Sequence, residues 1–213
     1  MQREINPPRH TRRGGIAALA AGALLLLAAP GAIAGSGTVE NATLNPPAPD
    51  WYACAASGPN TICRGIIPTD PVVDEPTGES CDGRPLYVTV VENVRVATRF
   101  YDADGDLAWR RVHATETDAF SLSASGAGPV VSVVGHWGWT VRYPVPGDES
   151  TGTLASHGLE ARVVAPDGHV LLHQAGTLYS AGADFVTTGW HGPHPIEEDF
   201  GNLVAAICTG LGS

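Results

Sequence analysis

The chain has 213 residues and carries 12 arginines, no lysine and 22 acidic residues, for a net charge of −10. The missing lysine excludes a Walker A phosphate loop, a Schiff-base lysine and a Ser-x-x-Lys nucleophile. The acidic balance repels phosphate backbones and anionic lipid heads, so neither nucleic acid nor a membrane surface is an expected partner.

Residues 1–34 read as an export signal. Arg3, Arg9, Arg12 and Arg13 make a basic start, Ile16 to Ala29 form an apolar run too short to span a bilayer, and Ala32 and Ala34 supply the small residues of a cleavage site. The expected address is therefore secreted, with no membrane attachment after cleavage. Arg12-Arg13 hints at twin-arginine export, but Gly14 and Gly15 fit that pattern poorly, and the route stays open. Without Arg3, Arg9, Arg12, Arg13 and Glu4 the balance is 8 basic against 21 acidic residues, a net charge of −13.

Residues 35–85 are rich in Pro and Gly without a sustained period, and predict an extended arm. Cys54, Cys63, Cys81 and Cys208 allow three pairings in an oxidising compartment. Cys54 with Cys63 would close a short loop and Cys81 with Cys208 would tie the start of the folded domain to its last helix, and these two bridges are expected. No cysteine spacing suits zinc.

Residues 86–213 predict one all-β domain. "LYVTVVENVRVATRFY" from Leu86 alternates with period two, which places Val94, Val96 and Phe100 on an inward face. "DADG" and "APDG" read as hairpin turns with Gly105 and Gly168 in the left-handed region. That loop type pairs Val94 with Ala114, Val96 with Val112 and Phe100 with Ala108. In the second hairpin it pairs Val163 with Leu171, Ala161 with His173 and His157 with Thr177. Between the hairpins, Val131, Val133, Trp137, Trp139, Val141 and Tyr143 share one side. Strand signals recur to Trp190 with no helical period between them, so the chain predicts an antiparallel meander of about six to eight strands, forming a barrel or a strongly rolled sheet. Ile196, Phe200, Leu203, Val204, Ile207 and Leu211 then recur at helical spacing, predicting one short C-terminal helix that starts at Pro195.

Four groups of residues are candidate sites. Trp137, Trp139, Tyr143 and His173 would line a cavity for a small, mostly apolar ligand or stack on a ring. Arg95, Arg99 and Arg111 would share one face and could hold a small anion, if acidic neighbours do not neutralise them. His191 and His194 in "WHGPHP" read as a stiff loop ahead of the helix. Asp102, Asp104 and Asp106 read as a turn, because Gly105 stands fourth rather than sixth as in a calcium loop. No metal, cofactor or catalytic residue is assigned, since no nucleophile elbow, zinc helix or phosphate loop appears. The expected function is a secreted binding or interaction module. The alternative is a secreted hydrolase or isomerase with its site in the barrel mouth. The oligomeric state is left open.

"CDGRPLYVTVVENVRVATRFYDADGDLAWRRVHATE" and "EDFGNLVAAICTGL" resemble uncharacterised secreted proteins of high-GC Gram-positive bacteria, over residues 81–213. The resemblance implies a signal peptide, a Cys before the first strand, an Asp-x-Asp-Gly hairpin and a Cys in a short C-terminal helix, and no assigned activity. In outline the meander is similar to barrels of the lipocalin and allene oxide cyclase kind, an analogy of fold that carries no function.

Overall fold

The computed structural model describes residues 37–182 and 184–212, and the expected signal peptide lies outside them. Nine strands build one antiparallel sheet: β1 (Ala53–Ser57), β2 (Asn60–Ile66), β3 (Glu75–Cys81), β4 (Arg84–Tyr101), β5 (Leu107–Ser121), β6 (Val131–Arg142), β7 (Thr153–Val164), β8 (Val170–Ala181) and β9 (Val186–His191). Their order is β1-β2-β4-β5-β6-β7-β8-β9, with β3 beside the first part of β4. The meander is as expected from β4 onward. The barrel is not formed, because β1 and β9 lie at opposite ends of an open sheet. The segment read as an arm supplies β1, β2 and β3.

The helix is interrupted. Asp199 is extended, and its carboxylate accepts the Gly201 N–H at 2.8 Å, which separates α1 (Pro195–Glu198) from α2 (Gly201–Gly210). Ile207 and Leu211 are buried as the stripe requires, whereas Phe200 is exposed. Both expected disulfides are present, Cys54–Cys63 and Cys81–Cys208.

Both hairpin turns follow the expected loop. Asp102 N–H bonds Asp106 O and Ala165 N–H bonds His169 O, with Gly105 and Gly168 at positive φ. The register beyond them differs, because extra residues bulge out of the ladders. Ala108 is bulged after the first turn, so Phe100 faces Trp109, Val96 faces His113 and Val94 faces Thr115. Val91 is bulged in β4 opposite Thr117 and Asp118. Each bulge reverses which face the following residues occupy. Leu86, Val88 and Val90 therefore share a face with Asn93, Arg95, Ala97, Arg99 and Tyr101, not with Val94 and Val96. Exposure confirms the reversal: Ala97 is 0 % exposed, Val94 42 % and Val96 45 %. In the second hairpin the bulged Leu171 and Glu160 move Val163 opposite Leu172 and Ala161 opposite Gln174, while His157 does face Thr177.

One face of the sheet, here called inner, is covered at both ends. At one end Ala97, Tyr101, Leu107, Val112 and Val141 pack under Leu44, Ala48, Tyr52 and the Cys54–Cys63 bridge. At the other end Leu86, Val131 and Val163 pack under Ile207 of α2 and Leu211 just after it, held by Cys81–Cys208. Each fully buried Leu, Val or Ile among these contributes about 1.5–3 kcal/mol. The chain after β9 folds back against β8, where Gly176 has φ +138° and a side chain would land on the His191 carbonyl. That close approach carries His194 to the inner face.

Candidate functional site

Between its two covered ends the inner face is polar. The register fixes the arrangement. Along β5 the inward residues are Val112, Ala114, Glu116, Asp118 and Phe120, so two carboxylates fall between the two cores. Across the sheet, Arg95, Ala114, Trp137 and Gly158 form one row, and Asn93, Glu116 and Gly135 form the next. The bulge at Glu160 turns that carboxylate toward the same region, beside Gln174.

Arg95 is the hub of one half. Its Nη2 lies 2.9 Å from Glu116 Oε1, and its guanidinium stands 5.9 Å from the Trp137 ring centre. Burial, with the Glu116 charge adding to it, pushes the Asp118 carboxyl up to about 6, and Arg95 opposes the shift. Asn93 Oδ1, Arg95 Nε and Asp118 Oδ1 are buried atoms without a hydrogen-bond partner in the protein. Buried polar atoms are rarely left so.

Glu160 organises the other half. Its Oε1 accepts from Ser156 Oγ at 3.1 Å and its Oε2 from Gln174 Nε2 at 2.8 Å. Gln174 Oε1 accepts the Ile196 N–H, which ties the start of α1 to β8. His194 is 2 % exposed, and its Nε2 lies 3.1 Å from the His191 carbonyl. Its Nδ1 sits 3.9 Å from Glu160 Oε2, too long for a hydrogen bond. A cavity of about 350 Å³ opens here, lined by Trp137, Ser156, Glu160, Gln174, Leu178 and Ile196 among others. Ser156 bonds the carboxylate and His194 bonds the His191 carbonyl, not each other, so Ser156, Glu160 and His194 do not form a nucleophile–base pair.

Of the expected ligand residues, Trp137 and Trp139 are half-buried on the inner face. Tyr143 is buried in the first core, and its hydroxyl donates to Glu149 at 3.3 Å. Burial pushes that phenol up to about 12, with Arg110 opposing and Glu149 adding. His173 is not with them. The Glu160 and Leu171 bulges pair it with Arg162 on the outer face, where it is exposed, as is His157. The expected arginine cluster also separates. Arg95 and Arg99 are inward, whereas the register puts Arg111 on the outer face and Arg110 opposite Arg99. Arg110 stands over Trp139 at 5.5 Å and 3.5 Å from Glu149, and Arg99 bonds the Tyr101 hydroxyl at 3.2 Å. Each inward arginine thus has its own partner.

Sequence reasoning missed Asn93, Glu116, Asp118, Glu160 and Gln174, and it read His194 as part of a stiff loop, not as a buried group. Glu116 and Asp118 carried a signal, because they continue the period-two face of Val112 and Ala114 that was read as inward. The other four depend on the bulges or on the fold-back after β9. Among the described residues no three His, Cys, Asp or Glu side chains form a group that could hold a metal ion. Compared with protein-family models, with curated proteins and with solved structures, the chain matches none.

Proposed function

We propose that this protein is a secreted binding module whose inner sheet face takes a small ring compound bearing hydroxyl groups, such as a sugar. The observation that carries this is the run of three unpartnered polar atoms at neighbouring inner-face positions, on Asp118, Asn93 and Arg95, with the indole of Trp137 against Arg95 at its end. A ring compound of this kind offers an apolar face to the indole and hydroxyls to the polar atoms. A mostly apolar ligand in a barrel lumen is not retained, because the sheet is open and the uncovered part of its inner face is charged. Secretion is supported by the order of basic, apolar and small residues at the N-terminus and by the two disulfides.

Titration of the purified protein with a panel of neutral and acidic monosaccharides, followed by tryptophan fluorescence, tests the proposal. At least one sugar is expected to change the emission, with the response lost in Trp137→Ala and weakened in Asp118→Ala. No response to any sugar at about 10 mM, well above a millimolar dissociation constant, overturns it. A second reading, an enzyme, is favoured only by Asp118, whose carboxyl near 6 suits a general acid or base at neutral pH. Turnover of a bound sugar, lost in Asp118→Asn with binding retained, would select that reading.

A further inference from the structure

The outer face is unlike the rest of the molecule. The register places Arg64 of β2, Arg111 and His113 of β5, His136 and Arg142 of β6, His157 and Arg162 of β7, His173 of β8 and His191 of β9 on it, and every one of them is exposed. The only carboxylate that the ladders from β2 and β4 through β9 place there is Glu92. The other 20 acidic residues after residue 34 are inward or outside these ladders.

Within this face the histidines are ordered. His113, Gly138, His157, Thr177 and His191 stand in one row across five consecutive strands. The imidazoles alternate with Gly138 and Thr177, so their Cα atoms repeat at about 10 Å, two strand spacings. Gly138 makes room in this row, because a Cβ there would lie 2.8 Å from His113 Nδ1. The next row carries Arg64, Thr98, Arg111 and Thr140, and Phe100 stacks on Trp109 beside it, centroids 5.5 Å apart. The basic groups crowd one another. Partial burial lowers the His113 imidazole, and Arg111, His157 and His136 add to the effect.

We infer that this face binds a single chain of an acidic polysaccharide, a polyuronate, laid along the histidine row, and that it binds more tightly as pH falls and the row becomes charged. Three features favour that partner. His113, His157 and His191 form a line with a spacing of the order of a sugar pair, and the Arg64–Arg111 row runs beside it. The Phe100–Trp109 pair offers a ring platform next to the arginines. A thin chain stays within the basic face, whereas a bilayer or a duplex reaches past it to the acidic remainder of the surface.

The test is binding of the full exported protein to immobilised polygalacturonate, measured at about pH 5 and about pH 7.5 around the histidine range, with dextran, oligothymidylate and phosphatidylglycerol vesicles as comparison surfaces. Polygalacturonate is expected to bind about tenfold more tightly at the lower pH, as three surface ion pairs would give. The triple variant His113→Gln, His157→Gln, His191→Gln is expected to lose that dependence. The triple variant His113→Arg, His157→Arg, His191→Arg is expected to bind at the higher pH as the native protein does at the lower one, a gain that misfolding cannot produce. Equal binding at both pH values, an unchanged pH response in the glutamine variant, or equal retention on dextran, oligothymidylate or vesicles overturns the inference. Because no inner-face residue is altered, these outcomes are independent of the fluorescence titration.

Discussion

Asp118 is a carboxyl that the fold holds against its own preference. Burial raises it from its ordinary value to about 6, so the folded chain binds that proton more tightly than the unfolded chain does. Stability from this group is therefore full below about pH 4 and falls as pH rises to about 6, then stays level. The group is half-exposed, so solvent screening reduces the effect to about 1 kcal/mol. Asp118→Asn is expected to remove this part of the slope and to melt above the native protein at neutral pH by that amount, while the two melt together near pH 4. Melting temperatures across that range measure it. At this scale the sequence was half legible. Trp137 and Trp139 were placed on the correct face because β6 pairs with β5 without a bulge. His173 and Arg111 were misplaced because the ladders around them slip by one residue.

The elements themselves were legible, since strong alternation and two glycine turns define β4 to β8. What period two cannot reveal is an extra residue in one strand. "VVEN" at Val90 to Asn93 contains the one break that matters most. Val90 faces inward and Glu92 outward, and the one residue between them, Val91, is taken up by the bulge. It turns Arg95 and Arg99 inward and sends Val94 and Val96 out, which creates the polar stretch of the inner face. Deleting Val91 would remove the extra residue and leave the pairs on both sides of it, Val90 with Asp118 and Glu92 with Thr117, as they are. Arg95 and Arg99 would stay inward beside Glu116 and Tyr101. The expected outcome is a retained cooperative thermal transition by circular dichroism, and Val91→Ala, which keeps the bulge and alters only an exposed side chain, should melt within about 0.5 kcal/mol of the native protein.

On the scale of the whole molecule, two separate cores share one sheet, and each is closed by a disulfide. Cys81–Cys208 spans 127 residues and Cys54–Cys63 spans 9. In the chain-entropy view the long bridge restricts the unfolded chain more. Replacing Cys81 and Cys208 by alanine is expected to cost about 2–5 kcal/mol, and replacing Cys54 and Cys63 less, as chemical denaturation would show. Closure into a barrel was not decidable from residue pattern. It depends on whether the first and last strands meet, and the fold-back after β9 takes the chain to the inner face instead. The strand order has a consequence for how the chain reaches this state. From β4 to β9 every strand docks on the one made just before it, so the sheet can zip up progressively as the polypeptide emerges from a narrow channel, each hairpin templating the next. The helix that seals the second core, and the sulfur that locks it, come only after the last of those strands, which makes oxidation of Cys81 with Cys208 the closing event of assembly.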